Sequence, residues 1–125
     1  MDIMVVDDEV EVREMICEIL CSKGHNVITA ENGKRAIELL SIYRVDLIIT
    51  DIIMPEIEGV EFILRLRQSN IPVISISALS KESVVMEFMV SLGIVGILQK
   101  PFKNCDLLQL VNNIKEDIKK KQLSK

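Results

Sequence analysis

Four short apolar runs, each ending abruptly in polar side chains, constrain this chain more than any other feature. Ile3-Met4-Val5-Val6 runs into Asp7-Asp8-Glu9, Leu47-Ile48-Ile49 into Thr50-Asp51, Val73-Ile74-Ser75-Ile76 into Ser77, and Val95-Gly96-Ile97-Leu98 into Gln99-Lys100-Pro101. Runs of this length, rich in β-branched residues, suit strands buried on both faces. A parallel sheet covered by helices buries strands that way, and it brings all four polar ends to one edge.

The stretches between the runs have helical spacing. Strands are predicted over 2–6, 26–30 and 46–50, from Pro72 through Ile76, and over 95–98. Helices are predicted from Val10 to a C-cap at Lys23-Gly24, over 34–41, over 60–68, over 81–92 with Ser80 as cap, and from about Asn104 to about Lys119. In the first helix Val10, Arg13, Glu14, Met15, Ile16, Ile19 and Leu20 show helical spacing, with Val12 and Cys17 beside the stripe; the expected inward stripes of the next two are Ala36, Ile37, Leu39 and Leu40, then Phe62, Ile63 and Leu66. They continue with Val84, Val85, Phe88, Met89 and Leu92, and with Leu107, Leu108, Val111, Ile114 and Ile118. The order is a βα unit repeated five times, an α/β fold with helices on both faces of a parallel sheet.

At 125 residues the chain suits one domain, expected over 1–121 with a tail at 122–125. Aromatic residues make up only 3%, so the core is Ile, Leu, Val and Met, and no platform for stacking bases is visible. A net charge of −4 argues against direct nucleic-acid binding. No apolar run is long enough to span a bilayer, and the N-terminus enters a strand with no leader pattern, which points to the cytoplasm. Cys17 and Cys21 sit one helical turn apart with the single histidine, His25, beyond them. Two metal ligands are conceivable there, but two small thiols is the simpler reading.

A strand-end Asp is common on its own. Three of them, Asp7, Asp8 and Asp51, at the ends of neighbouring strands are not, because their charges repel unless protons or a cation neutralise them. An all-oxygen set without His or thiolate points to Mg²⁺ or Mn²⁺. Lys100 adds a mobile ammonium and Ser77 a hydroxyl at the same edge. Cation, ammonium and hydroxyl around one carboxylate suit phosphoryl transfer to Asp51, which rests on position and charge. No histidine stands ready as a general base, so Ser77 is not a nucleophile.

These motifs, with Met54-Pro55, Gly59 and Lys100-Pro101-Phe102, span nearly the whole chain, and together they resemble the receiver domain of two-component response regulators. The resemblance implies a flavodoxin-like, doubly wound sheet in order 2-1-3-4-5. It makes Asp51 the acceptor of a phosphoryl group from a sensor histidine kinase or a histidine phosphotransfer protein. Asp8, Asp51 and the backbone carbonyl of Ile53 would bind Mg²⁺, with Asp7 acting largely through water. Ser77 and Lys100 would hold the phosphoryl oxygens, and the Lys100-Pro101 bond would be cis. The helix at 81–92, the strand at 95–98 and the final helix would form the surface that controls a partner, an effector domain or a homodimer. Such a domain is a switch rather than an enzyme, acting only on its own phosphorylation.

The chain departs from the family pattern in three places. Ile97 stands where many receivers have Tyr or Phe, so a ring flip cannot carry the signal. Ile53 and Leu79 stand two residues after Asp51 and Ser77, where apolar side chains would not orient an attacking water. Slow self-hydrolysis is therefore expected. Competing functions fit less well. A phosphatase with an aspartyl nucleophile would need an acid where Ile53 stands. A nucleotide binder would need a glycine-rich loop where Asp7-Asp8-Glu9 stands. An unphosphorylated interaction module would need no complete acidic site.

Overall fold

The computed structural model describes residues 1–51, 62, 64–78 and 83–123, with the backbone alone at Val85. Five strands, β1 (Asp2–Val6), β2 (Asn26–Ala30), β3 (Leu47–Asp51), β4 (Val73–Ser77) and β5 (Gly96–Gln99), pair in parallel in the order β2-β1-β3-β4-β5. This is the doubly wound sheet that the resemblance implies. Three strands sit one residue later than expected at both ends: β3 over 47–51 instead of 46–50, β4 over 73–77 instead of 72–76, and β5 over 96–99 instead of 95–98. They run on because Asp51 pairs with Ile76 and Ser77 with Gln99 in register.

Period-two alternation sends each strand's side chains to opposite faces and so makes two cores. On one face Ile3, Val5, Leu47, Ile49, Ile74 and Ile76 pack against Ile16 and Leu20 of α1 (Val10–Cys21) and against Leu107, Val111 and Ile114 of the final helix (Asn104–Leu123). On the other, Met4, Val6, Ile48 and Val73 pack against Ala36 and Leu39 of α2 (Gly33–Leu40), against Phe62 and Leu66, and against Met86 and Met89 of the Val84–Ser91 helix.

Three helix readings need correction. In α1, Val10 and Met15 face solvent, while Val12 and Ile19 join the core's edge beside Ile16 and Leu20. In the Val84–Ser91 helix the inward residues are Met86 and Met89, not Val84 (79% exposed) or Phe88 (50% exposed). That helix is apolar nearly all round, so its sequence pattern has no phase to read. Its N-cap is Ser83, whose side chain accepts the Met86 N–H at 3.1 Å; Ser80 lies outside the described residues, as do Val60, Glu61 and Ile63 of the 60–68 stretch, where Phe62 and Leu66 are buried as expected. The final helix continues to Leu123, past the expected end near Lys119.

Helix α2 starts one residue earlier than the expected 34–41, at Gly33, with Asn32 as its N-cap. The Asn32 side chain accepts the Arg35 N–H at 2.8 Å, and a Cβ on Gly33 would come within 3.2 Å of Phe62. Gly24 has φ +86°, which ends α1 in a left-handed turn that favours glycine.

Candidate functional site

β1 and β3 sit side by side at the centre of the sheet and deliver Asp7 and Asp51 to its carboxyl-terminal edge. Both carboxylates are buried. The apolar runs behind them anchor the strands, so the charges are held where water cannot fully solvate them. Asp8 and Glu9 follow on the exposed start of α1. Carboxylate oxygens from Asp7, Asp8, Glu9 and Asp51 all lie within 4.8 Å of one another.

Lys100 reaches this cluster from the far side of the sheet. Its Nζ donates to Asp51 Oδ2 at 2.9 Å and to Asp7 Oδ2 at 3.1 Å, and stands 3.7 Å from Glu9 Oε1. The Lys100-Pro101 bond is cis, as the resemblance implied. The Lys100 N–H donates to the Ser77 carbonyl at 2.7 Å, which ties these two residues together through the backbone. Ser77 is fully buried at the end of β4. Asp7, Asp8, Asp51, Ser77 and Lys100 thus gather on one edge. The Ile53 carbonyl, the remaining expected ligand, lies outside the described residues, as do Leu79, Met54-Pro55 and Gly59.

Desolvation by burial is the main influence on Asp7 and holds its carboxyl above the usual range, helped by the nearby Asp51 charge. The Glu9 N–H, at 2.8 Å, and Lys100 pull it back only in part. For Lys100, desolvation works against the charge, but the hydrogen bonds it donates to Asp51 and Asp7 win and raise its pKa. The ammonium therefore stays charged and works as a fixed counter-ion.

Two contributors went unread in the sequence. Glu9 joins the acidic cluster, although its side chain is 64% exposed; its place directly after Asp7-Asp8 was the available signal. Arg13 Nη1 donates to the Asp7 carbonyl at 2.6 Å and braces the turn that presents Asp7. Nothing in local sequence marks that bond, because it depends on how α1 is set against β1.

The donor set fits a hard cation: several carboxylate oxygens, no nitrogen and no sulfur. A cleft of about 920 Å³ lies elsewhere, between Arg44, Leu66, Ile94 and Lys120, and holds none of these acids.

The family model for the response regulator receiver domain matches residues 3–112. The chain is 33% identical over 113 residues to the chemotaxis protein CheY of Bacillus subtilis, covering 88% of this chain and 93% of that one. It is 36% identical over 118 residues to the probable transcriptional regulator ycf29 of Pyropia yezoensis, covering 90% of this chain but 52% of that relative. The chain therefore spans about half the length of the ycf29 regulators it matches. Among solved structures it is similar to the response regulator TrrA of Thermotoga maritima in complex with Mg²⁺-BeF, with a TM-score of 0.77 and 31% identity over 90% of this chain and 97% of that one. The chain belongs to the receiver family of two-component response regulators, which are signalling modules rather than enzymes of the ordinary kind. No described helix is long and apolar enough to cross a membrane.

Proposed function

We propose that the chain is a phosphorylation switch in a two-component relay, with Asp51 as the phosphoryl acceptor. The observation that carries this reading is the Lys100 ammonium held between Asp51 and Asp7 at 2.9 and 3.1 Å. It marks one carboxylate as the point where an anion can be received and compensated. A carboxylate oxygen of Asp51 attacks phosphorus, the P–N bond to the donor's histidine breaks, and the imidazole leaves with the electron pair. Asp8 and Asp51, with Asp7 and Glu9 nearby and the Ile53 carbonyl as the expected further ligand, would hold Mg²⁺ (or Mn²⁺), which would supply positive charge to offset the phosphoryl oxygens. Lys100 moves from its carboxylate partners to a phosphoryl oxygen, and the Ser77 hydroxyl takes another. The donor is a histidine kinase or a histidine phosphotransfer protein, and the setting is cytoplasmic.

The adduct adds about −1.5 to −2 charges at Asp51. Ser77 is the route outward. Ser75 lies two residues back on the same face of β4, and Ile97 pairs with Ser75 in register. Ile97 packs in the core formed with Met86 and Met89, so a shift at Ser77 reaches the Val84–Ser91 helix through aliphatic repacking. Exposed Val84 and Phe88 then mark the output surface, shared with β5 and the final helix, for an effector domain, a separate partner or a second copy. Ile53 and Leu79 leave an attacking water without a polar guide, so the adduct should persist for minutes rather than seconds.

Acetyl phosphate with Mg²⁺, followed by intact mass measurement, tests the reading. One phosphoryl adduct is expected on the wild type and none on Asp51→Asn or without Mg²⁺. Mg²⁺ binding with no adduct would overturn it in favour of an unphosphorylated interaction module.

A further inference from the structure

A second set of ligating atoms lies at the opposite end of α1 from the acidic edge. Cys17 and Cys21 are one turn apart, and their Sγ atoms are 3.8 Å apart. Cys17 is half-buried, Cys21 is exposed, and both are free thiols. Burial first, then the hydrogen bond and charge of the Cys21 sulfur, keep Cys17 protonated beyond the usual thiol range.

This spacing disfavours one chemistry and fits another. Cβ atoms at i and i+4 on a helix are about 5–6 Å apart, whereas a disulfide needs about 3.5–4.5 Å. Closing one would unwind the turn. A tetrahedral shell with metal–sulfur bonds of about 2.3 Å has an S···S edge of about 3.8 Å, which matches the observed separation without rearrangement. We propose that Cys17 and Cys21 form a bidentate dithiolate site for a thiophilic divalent d¹⁰ cation, Zn²⁺ or Cd²⁺, with the remaining positions taken by water. Binding breaks two S–H bonds, forms two metal–sulfur bonds and releases two protons. The chain then sorts cations by hardness, with oxygen donors at the sheet edge and sulfur donors on α1.

Cys105, exposed in the first turn of the final helix, is a built-in control. The whole chain is alkylated with iodoacetamide in excess Mg²⁺, which occupies the acidic edge, with and without Zn²⁺, and each cysteine is followed by peptide mass. Zn²⁺ should slow Cys17 and Cys21 by about tenfold and leave Cys105 unchanged, and in Cys17→Ser the protection of Cys21 should vanish. Cd²⁺ should raise a thiolate charge-transfer band in the wild type that Cys17→Ser lacks. Unchanged rates at the pair, equal slowing of Cys105, or undiminished protection of Cys21 in Cys17→Ser would overturn the proposal.

Discussion

The two faces of the sheet differ in kind. Under α1 and the final helix the core is aliphatic throughout, with Ile3, Ile16, Ile49, Ile74, Ile76 and Ile114 as its body. On the face under the Val84–Ser91 helix it holds three methionines, Met4, Met86 and Met89, and the hydroxyls of Thr50 and Ser75, and Ser75 Oγ is buried with no hydrogen-bond partner among the described residues. Branched aliphatics lock into few rotamers, whereas methionine is unbranched and adapts. One face is built to hold the sheet and the other to tolerate rearrangement. Ser77 and Ile97 belong to the adaptable face, which is where a signal from Asp51 would have to travel.

Paired core substitutions should expose this difference most strongly. Ile74→Ala should cost about 2–5 kcal/mol, whereas Met86→Leu should cost less than about 1.5 kcal/mol; urea midpoints at constant slope measure both. Similar losses at the two sites would erase the contrast. The next effect falls at the edge that the faces share. Lys100→Met leaves Asp7 and Asp51 without their ammonium and should lower metal-free stability by about 2 kcal/mol, a loss that Mg²⁺ narrows. Equal melting of this variant and the wild type without metal would show that Lys100 compensates nothing.

Asp7→Asn should act in the opposite direction. Burial raises the folded-state pKa of Asp7 above its unfolded value, so the ionised carboxylate costs stability above that pKa, and the cost fades as pH falls through it. The variant should gain about 1 kcal/mol over the metal-free wild type at neutral pH, and the gap should close on acidification. Denaturant melts across the acidic range check the sign. The smallest change is Ser75→Ala. Removing a hydroxyl with no partner among the described residues should be neutral or stabilising within about 1 kcal/mol, and a larger loss would mean that Ser75 holds a bond in solution.

Much of this was legible in the sequence where the pattern was unambiguous. The four apolar runs located β1, β3, β4 and β5, and their polar ends located Asp7, Asp51, Ser77 and Lys100, because strands buried on both faces leave little choice of register. The inward face of the Val84–Ser91 helix was not legible, since an apolar residue at nearly every position gives packing, not sequence, the deciding vote. Glu9 and Arg13 were missed because their roles depend on where α1 leaves β1, which no spacing rule encodes. The fit of Cys17 and Cys21 to a metal depends on a rotamer, which sequence does not carry.

The most direct test of the account is methyl NMR on the chain in Mg²⁺ before and after acetyl phosphate, with Asp51→Asn beside it. The account predicts large shifts at Ile97, Met86 and Met89, small ones at Ile3, Ile16 and Ile114, and none of these in Asp51→Asn. Shifts spread equally over both faces, or confined to residues beside Asp51, would contradict it.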